Sequence, residues 1–166
     1  YTNNKVGNVI YKVIEYFGDD VRRINHFLKV YGYVKMIGEC ENLDDSMQEI
    51  LEVTAVLHDV GIKVAEQKYN SSAGHYQQLE GPPVAKKILD ELGYPDDFVE
   101  RVMYLIAHHH TYTNIDGMDY QILVEADFLV NADEDRLSSD AIENFKEKIF
   151  KTTTGIAVLE NNYLNL

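Results

Sequence analysis

The residues of this chain that can do chemistry are its six histidines and a few carboxylates set among apolar neighbours. His58-Asp59 follows Leu51, Val53, Ala55, Val56 and Leu57, a run apolar enough to be buried on most sides. A carboxylate carried into such an interior needs a hydrogen bond, a cation or a metal. The bland alternative is a His/Asp pair that ends a helix against its neighbour. Glu125 and Asp127 repeat the anomaly among Ile122, Leu123, Val124, Ala126, Phe128, Leu129 and Val130. Two apart on a helix, they point about 200° from one another. One site cannot easily use both, and periodicity does not choose between them.

His26 shares a stripe with Val30, Tyr33 and Ile37, where a satisfied core histidine is the plainer reading. Val99, Val102, Met103 and Ile106 form another stripe that, continued by three and four residues, reaches His109 and His110. His108 continues the other face, after Arg101, Tyr104 and Leu105. A solvated histidine end, favourable to the helix dipole when protonated, is the alternative for the triplet. Two imidazoles and two carboxylates, with more histidines nearby, make an N/O ligand set for a borderline or hard divalent metal. Other chemistries lack their motifs. There is no glycine-rich phosphate loop, GxSxG, CxxC or HExxH, and Cys40 stands between Glu39 and Glu41, which disfavours a thiolate.

Helices must position these groups, because no segment alternates like a strand. Val6 to Phe17 reads as a helix stopped at Gly18. Asp19 or Asp20 caps a second, running towards Gly38, and Asp44 or Asp45 opens a third that ends at His58 with Gly61 as its stop. Residues 62–80 read as the least regular part. Pro82-Pro83 then belong in the first turn of a fourth helix, where missing donors cost nothing, and Gly93 ends it. A fifth runs from Pro95, Asp96 and Asp97 to the histidine triplet, a sixth covers about 120–132 and a seventh about 139–149. The segment from Thr152 is left undecided. The expected fold is all-α, a compact orthogonal bundle in one domain over residues 1–166.

Against 28 Asp and Glu stand 15 Lys and Arg, a net charge of −13. That balance argues against duplex nucleic acid and an anionic membrane as partners, since both attract basic faces. No apolar run approaches the roughly 18 residues of a membrane span. A single cysteine and the absence of a signal-peptide pattern fit a cytoplasmic protein.

Taken in order, His26, then His58-Asp59, then Asp127 resemble the H…HD…D pattern of the HD-domain superfamily of metal-dependent phosphohydrolases. "HFLKVYGY" resembles the family's first-ligand helix, "AVLHDVGI" its HD helix, "GPPVAKKIL" and "LIAHHH" its two intervening helices, and "VEADFL" its last-ligand helix. The match spans about residues 20–135. It implies Asp127 rather than Glu125 as the last ligand.

The resemblance implies that His26, His58, Asp59 and Asp127 hold a divalent ion (Mn, Fe, Co, Ni, Zn or Mg), with one or two ions in all. His109 or His110 would ligate the second or donate to the phosphate. Many two-metal members carry a Lys directly after HD-x-G. Here Ile62 intervenes, and Lys63 is the candidate phosphate contact. Counting back from Ile88-Leu89 to the place of a further family histidine lands on Glu80, a candidate to orient the water. His75 is a candidate substrate contact in the irregular stretch. Arg22, Arg23, Lys68 and Arg101 are further cations for a phosphate, with solvated surface charge as the alternative. The net charge of −13 narrows the phosphorylated substrate to a small molecule such as a nucleotide rather than a long polyanion. Alternatives are oxygen chemistry at a di-iron centre, or a metal-containing sensor that binds without catalysis.

Overall fold

The structure is a computed structural model that describes residues 5–165. Its described residues form nine α-helices and a short π turn: α1 Val6–Phe17, α2 Val21–Cys40, α3 Asp45–Leu57, α4 Ile62–Tyr69, α5 Gly74–Glu91, α6 Asp96–His108, α7 Met118–Glu134, α8 Ser139–Lys148 and α9 Thr153–Leu159, with the turn at Glu160–Leu164. The fold is all-α. None of these helices is long and apolar enough to cross a membrane.

Short polar side chains open several helices by accepting a free backbone N–H of the first turn. Asp44 takes Met47 N at 2.8 Å, Ser138 takes Ala141 N at 3.1 Å and Thr152 takes Gly155 N at 2.8 Å. Two apolar cores meet along α3. Leu51 and Ala55 pack with Val30, Val34, Leu123 and Leu129 on one side. Val53, Val56 and Leu57 pack with Val9, Val13, Leu89 and Ile106 on the other. Each such Val, Leu or Ile side chain stabilises the fold by about 1.5–3 kcal/mol when fully buried. With both flanks of α3 committed to core, the chain leaving its C-terminus is delivered into the interior.

Two expectations are corrected between residues 62 and 93. The stretch 62–80 is not irregular: α4 occupies its first half, and α5 begins at Gly74, so only residues 70–73 connect them. The signal of α4 is weak because its buried residues are only Ile62 and Ala65 amid charge. Pro82 and Pro83 lie inside α5, not in its first turn. They deprive the carbonyls of Gln78 and Leu79 of their usual donors, a cost of about 3 kcal/mol or more, which the packing of Ala85, Ile88 and Leu89 offsets. Gly61, expected as a stop, instead allows α5 to approach. A Cβ there would stand 2.5 Å from Gly81 N and 2.7 Å from Gln77 O. The undecided C-terminal segment is helical.

Candidate metal centre

Four helix segments bring their polar residues to one point. His26 comes from the second turn of α2, and Asp127 from the middle of α7. His58 and His109 are the C-caps of α3 and α6 and are built alike. Each donates Nδ1–H to the carbonyl three residues back, His58 to Ala55 O and His109 to Ile106 O, both at 2.6 Å. A carbonyl only accepts, so the proton sits on Nδ1 and the lone pair on Nε2 faces inward. The unsatisfied carbonyls of a helix end thereby fix two tautomers. His26 is held the same way by a carboxylate, with Nδ1 2.7 Å from Glu134 Oε1. Lys29 Nζ, 3.2 Å from Glu134 Oε2, steadies that carboxylate.

The inward atoms are close. His26 Nε2 stands 3.2 Å from both Asp59 Oδ2 and Asp127 Oδ1. His58 Nε2 stands 3.3 Å from Asp59 Oδ2, 3.4 Å from Asp127 Oδ1 and 3.3 Å from His26 Nε2. Ligands about 2.1 Å from one ion in tetrahedral or octahedral array lie about 3.0–3.4 Å apart. With the tautomers fixed as above, every converging atom is an acceptor. Only a proton or a cation can hold them together.

A second group adjoins the first. Asp59, His109 and His110 each offer a ligand atom, all within 4.8 Å of one another, as do His26, His58 and Asp59. His109 Nε2 is buried without a hydrogen-bond partner, 3.8 Å from Asp59 Oδ1. Such an orphan costs about 1–3 kcal/mol unless something binds it, so the residues present fit a metal ion. His110 is set by α5. Gln78 Oε1 accepts His110 N, and Gln77 Oε1 lies 2.9 Å from His110 Nε2. Gln77 also donates Nε2–H to Ser72 O at 2.6 Å. This directs Oε1 at the ring and leaves His110 Nδ1 free to ligate.

Protonation follows the same geometry. Burial alone would lower His58, but Asp59 and Asp127 outweigh it and hold its pKa well above the usual imidazole value. Burial likewise opposes His26, whose bond to Asp127 raises it. Burial would raise Asp59 and Asp127, yet the two imidazoles keep both below the usual carboxylate range. His109 is pushed down to about 4 by burial and by its neighbours His110 and His58.

A raised histidine stabilises the fold fully below its unfolded pKa of about 6.5 and loses that contribution as pH rises through the folded value. His109, depressed, withdraws stability as pH falls from about 6.5 towards its folded value near 4. Metal-free protein is therefore expected to lose stability on the alkaline side through His26 and His58, and on the acid side through His109. A divalent ion must displace the protons of His26 and His58. Calorimetry near neutral pH, in buffers of different ionisation enthalpy, should show proton release on metal binding. No release would contradict this protonation scheme.

The centre opens into a cavity of about 620 Å³, lined by His26, Asp59, Asp127 and His110 together with Arg22, Arg23, Asn131 and Asp135. Several expected residues are placed elsewhere. Glu80 does not join the converging groups; its carboxylate accepts from Tyr69 OH at 2.7 Å and Lys68 Nζ at 3.1 Å, which hold its pKa below the ordinary value. Its place on α5, behind an interior proline pair, gives Glu80 these partners and commits Lys68 as well. Lys63, about 100° round α4 from the cavity-lining Ile62, lies over the Tyr16 ring. His75 is exposed, its ring tilted against that of Tyr76, outside the cavity lining. Arg101 forks onto Asp119 at 2.8 and 2.9 Å. His108 bonds its own turn at Tyr104 O.

Glu125, the other carboxylate of α7, is fully buried and organises the C-terminal segment. It accepts from Gln121 Nε2, Lys151 N, Thr152 N and Thr152 Oγ1. Neither carboxylate of the pair is at the surface. Glu134 and Gln77 were not anticipated. Glu134 had a signal, at seven residues beyond Asp127 on the same helix face; Gln77 had none.

Residues 23–143 match the model of the HD domain family. The chain belongs to that family. The HD-domain match includes every residue of both ligand groups and Glu134. Over 96% of this HD-domain chain and 84% of the other, the fold is similar to the crystal structure of a predicted HD superfamily hydrolase from an uncultured Thermotogales bacterium, at 23% identity and a TM-score of 0.65. That likeness supports the HD fold. No curated protein matches the chain.

Proposed function

We propose that the protein is a metal-dependent phosphohydrolase acting on a phosphate ester of a small molecule. The observation that carries this reading is the acceptor-only cluster beside a cavity that a small molecule can enter. One ion would be held by His26, His58, Asp59 and Asp127, and a second by Asp59, His109 and His110. When bound, a divalent ion acidifies water and neutralises charge on a phosphoryl oxygen.

The chain's residues supply the rest. His58 and His109, locked to their own helix ends, keep Nε2 directed inward, where it ligates once any proton on it has been displaced. Gln77 holds His110 in place, and Glu134 does so for His26. Arg22 lines the cavity without an ion pair among the described residues, so its guanidinium is available to a phosphoryl oxygen. Arg23 is committed to Asp20 at 2.9 Å and Glu66 at 3.3 Å. In the reaction a water oxygen forms the new P–O bond and the ester P–O bond breaks. The proton given up by the water ends on the departing oxygen, which leaves as an alcohol.

The test is phosphate release from p-nitrophenyl phosphate by chelator-stripped protein, with and without Mn, Fe, Co, Ni, Zn or Mg added. The expected result is no release by stripped protein and recovery with at least one ion. Equal release without metal would contradict the proposal. The shared Asp59 also suits a di-iron centre for oxygen chemistry. Turnover of an organic substrate that requires iron and oxygen, with no phosphate release, would favour that second reading.

A further inference from the structure

His26, Asp59, His110 and Asp127 line the cavity, and further polar lining residues stand one or two helix turns along from them. Arg22 lies four residues before His26 on α2, and Asn131 four after Asp127 on α7, so each shares a helix face with a ligand. Asp135 follows after four more, at the end of α7. All three line the cavity, and their side chains make no hydrogen bond or ion pair among the described residues. They are uncommitted polar groups in the cavity lining, Arg22 available to the phosphoryl group and Asn131 and Asp135 to the organic part of an ester.

What the walls lack is equally informative. Of the described lining residues only Ile62 is apolar, and none is Phe or Tyr. A nucleobase is bound through stacking and apolar contact; this lining has no Phe, Tyr or Trp face, and its two imidazoles, His26 and His110, belong to the ligand groups. The stacked rings of Tyr69 and Tyr76, and the His75 ring tilted against Tyr76, with centroids 4.0 Å apart in each pair, lie outside the lining. A second phosphate would meet Asp135 and Glu134 with only Arg22 uncommitted, and like charges at that range repel. An amide that both donates and accepts, beside a carboxylate that accepts, is instead a fitting set for hydroxyl groups. At about 620 Å³ the cavity has room for a whole small molecule rather than phosphate alone.

We infer that the substrate is a monophosphorylated sugar or polyol, its phosphoryl group at the ligand residues and Arg22, its hydroxyls on Asn131 and Asp135. The inference rests on the phosphohydrolase reading and narrows it: the nucleotide that charge alone allowed does not suit these walls.

The experiment is a comparison of kcat/KM in metal-reconstituted protein for hexose and pentose phosphates, glycerol phosphate, nucleoside mono- and diphosphates, and p-nitrophenyl phosphate. Sugar or polyol monophosphates should exceed nucleoside monophosphates by about tenfold or more, and diphosphates should be poorer still. Asn131→Leu should cut the ratio of sugar phosphate to p-nitrophenyl phosphate kcat/KM by about tenfold. Its metal content, read by elemental analysis, should be that of the parent. Nucleotides hydrolysed as well as or better than sugar phosphates would overturn the inference and leave the phosphohydrolase reading standing. An unchanged ratio in Asn131→Leu would also overturn it. Metal-loaded protein that releases phosphate from none of these esters would overturn the reading beneath it.

Discussion

Asp59→Ala is expected to abolish metal retention and turnover together. Asp59 is the only residue common to both ligand groups. It also stands 3.2 Å from His26 Nε2 and 3.3 Å from His58 Nε2. Without it the first group keeps two imidazoles and Asp127, and the second keeps only two imidazoles. Turnover should fall on the order of 10³-fold or more, the scale seen when a preorganised electrostatic element is lost. Elemental analysis of the purified variant, with circular dichroism to check helicity, measures this directly. Asp127→Asn separates the groups. It weakens the first and leaves Asp59, His109 and His110 intact, so it should retain more metal than Asp59→Ala. A folded Asp59→Ala protein with full metal content and activity would refute the assignment.

The second large effect concerns stability rather than chemistry. Glu125→Ala removes one acceptor from four donors, at 2.6 Å to Thr152 Oγ1, 2.7 Å to Gln121 Nε2 and 3.0 Å to Lys151 N and Thr152 N. Buried donors left without a partner cost about 1–3 kcal/mol each. Partial relaxation makes about 3–5 kcal/mol the expected total, as for breaking a buried charged network. For a chain of this size that lowers Tm by roughly 10 °C. Gly155 belongs to the same arrangement, since a Cβ there would collide with Glu125 Oε1. Asp127, about 200° away on α7, is not part of this network, so metal content should be retained. Thermal unfolding that moves by less than about 2 °C would show that the network is dispensable.

The contrast between Glu125 and Asp127 shows what was legible in the sequence and what was not. Their apolar setting announced two buried carboxylates. Helical spacing showed that they could not share a site, but it left open which served the centre until the ordered motif chose Asp127. The long amphipathic helices were legible for the same reason, with α1 recovered to the residue. The failures lie where tertiary packing outweighs local signal. Two prolines normally open a helix, and nothing local shows that burial of Ala85, Ile88 and Leu89 carries α5 through them. Once α5 begins at Gly74, Glu80 and His75 change place, and Gln77 takes the position beside His110. Lys63 was displaced by a single residue, enough to turn it from the cavity towards Tyr16.

The central claim is that His26, His58, Asp59, Asp127, His109 and His110 converge to bind divalent ions. It is tested most directly by titrating chelator-stripped protein with Mn, Fe, Co, Ni, Zn and Mg by calorimetry, with elemental analysis of the product. The proposed two-ion arrangement predicts up to two ions per chain for at least one of these metals, bound with proton release and lost in Asp59→Ala. Failure of every metal to bind at micromolar concentration, or equal binding by Asp59→Ala, would contradict it.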